Sequence, residues 1–160
     1  MIKPPTRSAL FALAALALGL LALPAQADVE IYTASLSGAN EVPPNASTAT
    51  GSCELSVDTN TLEANYSIEF SGLSTAQTGA HFHNAPAGAN GGVVFALPLG
   101  SPINGTWNML QADYDQLAAG NIYLNVHTEM YPGGEIRGQL MLETVGAEAT
   151  SLDAVKALFR

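Results

Sequence analysis

The chain has only three histidines, and they fall in two short segments: His81 and His83 in GAHFHNAPAG, and His127 in YLNVHTEMYPGGEIRGQL. A neutral imidazole offers a lone pair to a metal or a proton, so the question is whether the three rings can meet. On a strand, residues two apart share a face and lie about 7 Å apart at Cα. From that spacing two rings can reach one ion, since metal–nitrogen bonds are about 2 Å long. In AHFHN, Phe82 takes one face, which leaves His81 and His83 together on the other. In LNVHT, Leu124 and Val126 take the core side, so His127 faces outward with Asn125. The alternation therefore predicts a metal site of His81, His83 and His127 on the outer face of one sheet, roofed by loops, provided the two strands are neighbours. Three neutral imidazoles suit copper or zinc better than calcium or magnesium, which want oxygen ligands. The competing reading is three ordinary polar positions on strands.

The elements that must position these residues read mostly as strands. LEANYSIEF places Leu62, Ala64, Tyr66, Ile68 and Phe70 on one face by strict alternation. IYLNVHT and EIRGQLML repeat the pattern, VEIYTASL and SCELSV repeat it more weakly, and GGVVFAL is a short apolar run. Turns punctuate them at Pro43-Pro44-Asn45, at Asp58-Thr59-Asn60, between Pro86 and Gly92, and at Pro132-Gly133-Gly134. Seven or so short strands so spaced predict an all-β fold, an antiparallel Greek-key or immunoglobulin-like β-sandwich. Its expected core is Leu55, Val57, Tyr66, Ile68, Phe70, Phe82, Leu124, Val126, Ile136 and Leu140. One short helix is predicted around Leu110, Tyr114 and Leu117, with Asn108 and Gln111 as a capping box and Gly120 as its stop. Cys53 alternates with Leu55 and Val57, which predicts an inert core thiol, and a single cysteine makes no internal disulfide.

The ends read differently from the middle. Residues 1–27 carry Lys3 and Arg7, an apolar run from Ala9 to Leu23, and Ala25-Gln26-Ala27, the pattern of a cleaved signal peptide. The mature chain is then expected to begin at Asp28, to be secreted or periplasmic, and to carry no membrane span after cleavage. Residues 28–143 form the expected domain. Residues 144–160 read as a linker and a short amphipathic tail with Leu152, Val155 and Phe159 on one side. Cleavage removes two of the five basic residues and none of the fourteen acidic ones, so the formal charge falls from −9 to −11. Without clustered Lys and Arg there is nothing to displace counterions from nucleic acid, and anionic membranes are disfavoured for the same reason. A metal ion fits an acidic surface better. There is no Gly-x-Ser-x-Gly elbow or Cys/His pair, and the acids show no distinctive spacing, so hydrolase chemistry has no visible machinery.

The blocks LSGANEVPP (Leu36 to Pro44), AHFHNAPAGANGGVVFAL and GNIYLNVHTEMYPGGEIRGQL resemble, in order, the signature blocks of the CHRD domain, a chordin-type module widespread in bacterial secreted proteins. The resemblance runs from about Tyr32 to Met141. It implies a secreted β-domain and says little about activity. A more distant likeness links GAHFHNAPAG to the Gly-x-His-x-His-x-x-Gly segment of copper/zinc superoxide dismutases, which are Greek-key sandwiches. There, two such histidines and a third from a later strand bind copper. His81, His83 and Val126-His127 match those positions, and Arg137 could parallel the arginine that guides the superoxide anion. A fourth, bridging histidine, a zinc loop and a disulfide are all missing, so the likeness leaves a three-histidine copper site and excludes the full copper/zinc enzyme. Three functions follow as alternatives: a binding module holding copper, a superoxide-dismutase-like redox enzyme, and a metal-free adhesive domain for an extracellular protein or matrix partner. A net charge of −11 works against the enzyme, because fast capture of an anion benefits from a positive funnel.

Overall fold

The computed structural model describes residues 28–143. The expected signal peptide and C-terminal tail lie outside the described residues. Nine strands and one helix follow in order: β1 (Val29–Ser37), β2 (Thr50–Asp58), β3 (Glu63–Ser71), β4 (Gln77–Asn84), β5 (Gly92–Ala96), β6 (Ile103–Asn108), α1 (Gln111–Ala118), β7 (Ile122–Thr128), β8 (Ile136–Gln139) and β9 (Met141–Leu142). A short 3₁₀ turn, Gly38–Asn40, follows β1. The fold is all-β and antiparallel, as the alternation predicts.

The strands run in the order β5-β4-β7-β8-β1-β2-β3-β6, with β9 pairing β1. This single sheet bends into two layers, β5-β4-β7-β8 facing β1-β2-β3-β6. The hinge is the segment from Ile136 to Leu142. It pairs with β7 as far as Gln139, touches β1 at Ser37↔Arg137, and then crosses to pair Tyr32 and Thr33 through β9. The sandwich-like core is thus enclosed by one continuous sheet. Phe82 stacks on Trp107 at 5.4 Å between ring centroids, Phe95 on Trp107 at 5.1 Å, and Tyr66 meets Phe82 edge-on at 6.2 Å. These rings fill the space between the edge strands β5 and β6, a geometry that aromatic pairs favour.

Nine of the ten expected core residues are buried; Phe70 is half-buried and packs against the rest. Cys53 lies in the same core, and burial pushes its thiol up to about 12. The helix also forms, but its start differs from expectation. Leu110 occupies the cap position with no side-chain cap hydrogen bond, so the Asn108–Gln111 capping box does not form. Leu117 is buried, and the Tyr114 hydroxyl donates to Glu30 on β1 at 3.0 Å, which docks the helix from the side. Gly120 ends it at φ +74°, where a Cβ would be strained.

Candidate metal centre

Strands β4 and β7 are antiparallel neighbours, with Gly79↔His127, His81↔Asn125 and His83↔Tyr123 as register pairs. That adjacency is what the sequence alone leaves open. Phe82 and Val126 are fully buried in the core, so the histidines project from the opposite face. Two register shifts, one between Gln77 and Gly79 and one between Phe82 and His83, flank His81 on β4. Such bulges twist a strand and re-aim its side chains.

The three rings converge. Their centroids are 5.0 Å apart for His81 and His127, 5.6 Å for His81 and His83, and 5.8 Å for His83 and His127. One ring nitrogen from each lies within 4.8 Å of the others. Backbone carbonyls select which nitrogen is free. His83 Nδ1 lies 3.0 Å from the Gly91 carbonyl, and His127 Nδ1 lies 3.1 Å from the Pro132 carbonyl. A carbonyl only accepts, so each Nδ1 carries the proton and each Nε2 keeps its lone pair. His83 Nε2, His127 Nε2 and His81 Nδ1 are buried with no hydrogen-bond partner among the described residues. Buried polar atoms are seldom left this way, and three together in one spot match the donor set of a metal ion. Burial, followed by the neighbouring His81, holds both His83 and His127 below the usual imidazole range, and Arg137 adds to the effect on His83. These two rings are thus kept in the neutral form that coordination needs.

Gly79 makes room for the cluster: a Cβ there would sit 2.9 Å from His81 Cε1. The Tyr123 ring stacks on His83 at 4.9 Å and 11°. The Arg137 guanidinium lies 3.4 Å from the Tyr123 ring centroid, a cation–π contact. Gly91 serves both rings, since its carbonyl accepts from His83 and its N–H donates to the Tyr123 hydroxyl at 3.1 Å.

The outer face is not a solvent face. Tyr123, Asn125 and Arg137 are each 2% exposed, and Glu135 is fully buried. Loops around residues 38–47, 85–92 and 129–135 cover them and create a second, polar interior. Glu135 and Arg137 do not pair with each other, although they share a motif. The Glu135 carboxylate accepts from the hydroxyls of Ser47, Ser74 and Thr128 and from the Ser74 N–H. Burial alone would raise its pKa, but these donors outweigh it and hold the group below the usual carboxylate range. Arg137 instead donates to Asn90 Oδ1 at 3.3 Å and Gln139 Oε1 at 3.4 Å.

Two participants carry weaker signals in the sequence. Tyr123 falls on the histidine face by the same alternation that places His127, and a large aromatic at such a position is a sign that the face is covered. Glu41 has no local signal. It is 6% exposed, it accepts from Asn125 at 3.4 Å, and its other oxygen has no partner among the described residues. Burial pushes its carboxyl up to about 7 against the opposing pull of Arg137.

No curated protein and no solved structure matches the chain significantly. The family model of the CHRD domain matches residues 32–140, a span that takes in all three histidines, Glu41, Tyr123 and Arg137. The chain belongs to the CHRD domain family.

Proposed function

We propose that this protein is a secreted or periplasmic CHRD-domain binding module that holds one copper ion through His81, His83 and His127. The observation that carries the reading is the convergence of three buried, unpartnered ring nitrogens, two of them selected by carbonyls on the far side of the ring. An all-imidazole set favours copper over zinc by the general affinity order, and it has no oxygen ligand to offer calcium or magnesium. Copper bound there would bring one-electron chemistry and, with three protein ligands, room for water or a small ligand. The chain's own part is to hold His83 and His127 neutral, fix the tautomers of those two rings and screen the cluster beneath loops. The signal-peptide pattern of residues 1–27 supports a place outside the cytoplasm.

Copper titration of wild type against His81→Ala, His83→Ala and His127→Ala tests the site. Each variant is expected to lose most of the affinity, and wild-type affinity in all three would remove the site. Superoxide consumption by the copper-loaded protein separates the module from the redox enzyme: turnover that vanishes in the variants favours the enzyme. A wild type that takes up no copper or zinc leaves the metal-free adhesive domain as the reading.

A further inference from the structure

Beside β8, on the far side of Asn125 from His81, lies a cleft of about 600 Å³, within the range of small-molecule sites. Its walls include Ala39, Val42, Pro44 and Ala87, and its floor includes Arg137 and Gln139. His81, Asn125 and Arg137 form one row across β4, β7 and β8, which places Arg137 about 10 Å from His81 at two strand spacings. The cleft is thus separate from the histidine cluster.

Arg137 is the unusual feature. Its guanidinium is buried, and a buried cation normally has a carboxylate beside it with short hydrogen bonds. Here its two side-chain hydrogen bonds are long and go to neutral amide oxygens, those of Asn90 and Gln139. One face is covered by Tyr123. The guanidinium has five N–H donors, so most of its capacity is unused among the described residues. The acid that feels its charge is Glu41, whose other oxygen is unpartnered among the described residues and whose burial favours the neutral acid. Elements packed around the cleft thus present one fixed positive charge, one carboxyl that competes for it, and amides.

We propose that this cleft binds a small organic carboxylate, with the anionic head on Arg137 and an apolar body against Val42 and Pro44. A planar carboxylate matches the fork of a guanidinium, and displacing two long amide contacts costs little. The apolar walls select against the fully hydrated inorganic anions. Tyr123 ties the site to the histidines, because it touches both Arg137 and His83.

The test uses the full chain stripped of metal, with benzoate as the probe and benzyl alcohol and benzylamine as neutral and cationic controls. Binding is followed by titration calorimetry and by the Arg137 Nε–H resonance in NMR. Benzoate is expected to saturate and to shift that resonance, while the two controls do neither. Arg137→Met should weaken benzoate by about tenfold or more, the loss of one charge-assisted contact. Because that variant removes a buried side chain, Ala87→Trp serves as the second: it fills the cleft from the exposed rim and leaves Arg137 in place. Glu41→Gln, which removes the competing acid, should bind benzoate more tightly than wild type. No shift of the Arg137 resonance up to tens of millimolar benzoate would overturn the proposal, as would undiminished binding by Ala87→Trp. Since no metal is present, failure of the copper reading leaves this result untouched.

Discussion

His83 is fixed by three different interactions: a carbonyl at Nδ1, a stacked tyrosine on its face, and the fold of β4 at its Cα. His81 has less support, and its position depends on the space left by Gly79. Adding one methyl group there, Gly79→Ala, brings a Cβ to 2.9 Å of His81 Cε1, closer than real Cβ contacts come. The ring is the movable partner, so the expected result is displacement of His81 with little change in the fold. Copper titration should show affinity reduced toward that of His81→Ala, while circular dichroism and thermal unfolding stay close to wild type. Wild-type copper affinity in Gly79→Ala would show that the ring tolerates the methyl and that its crowded position is not required.

At the scale of elements, the loops over the site depend on Glu135. It gathers donors from residue 47, residue 74 and β7, and Asn45 adds hydrogen bonds from its amide to the carbonyls of Gly134 and Glu135. Glu135→Ala leaves several buried donors without an acceptor and should cost about 2–4 kcal/mol, measured by urea unfolding. Replacing Ile68 or Leu124, both fully buried, with Ala should cost about 2–5 kcal/mol through lost contact and a residual cavity. A loss under about half a kcal/mol in both would contradict their burial. The strands themselves were legible because Leu62 to Phe70 and Ile122 to Val126 alternate, and alternation is a local property. The pairing of β4 with β7 was not, because it depends on which strands the crossing connections bring together. The helix start departs from the capping-box expectation for a related reason: Asn108 ends β6, where it pairs with Glu63, and it is therefore not free to cap. The polar interior was half legible. Alternation placed Tyr123, Asn125 and His127 on one face, but only the loops decide whether that face is wet.

For the whole molecule, two kinds of buried group give stability opposite pH slopes. His83 and His127 have lowered pKa values in the folded state. Below the unfolded value near 6.5, the unfolded chain takes up protons that the native rings resist, so metal-free stability falls as pH drops through that window. Glu41 behaves in the opposite way. Its folded value is about 7 against an ordinary 4.5, so between those values the native state binds the extra proton. Its contribution is fully present below about 4.5 and is lost as pH rises through about 7. Between about 4.5 and about 6.5 the two slopes oppose each other, so wild type without metal should change in stability with pH less than either kind of group alone would impose. The substitution Glu41→Gln separates them, because it keeps the shape and removes only the ionisation. Above pH 7.5 the variant should be more stable than wild type by on the order of 1–3 kcal/mol, and near pH 5 the difference should shrink toward zero. Chemical unfolding of both proteins from pH 5 to pH 8.5 measures this. A difference that does not change with pH would mean that Glu41 ionises normally in the fold and that its buried, unpartnered oxygen finds a donor from solvent. The slope just below pH 6.5, carried by the histidines, should persist in Glu41→Gln and flatten when His83 and His127 are replaced, leaving at lower pH the loss carried by the Glu135 carboxylate.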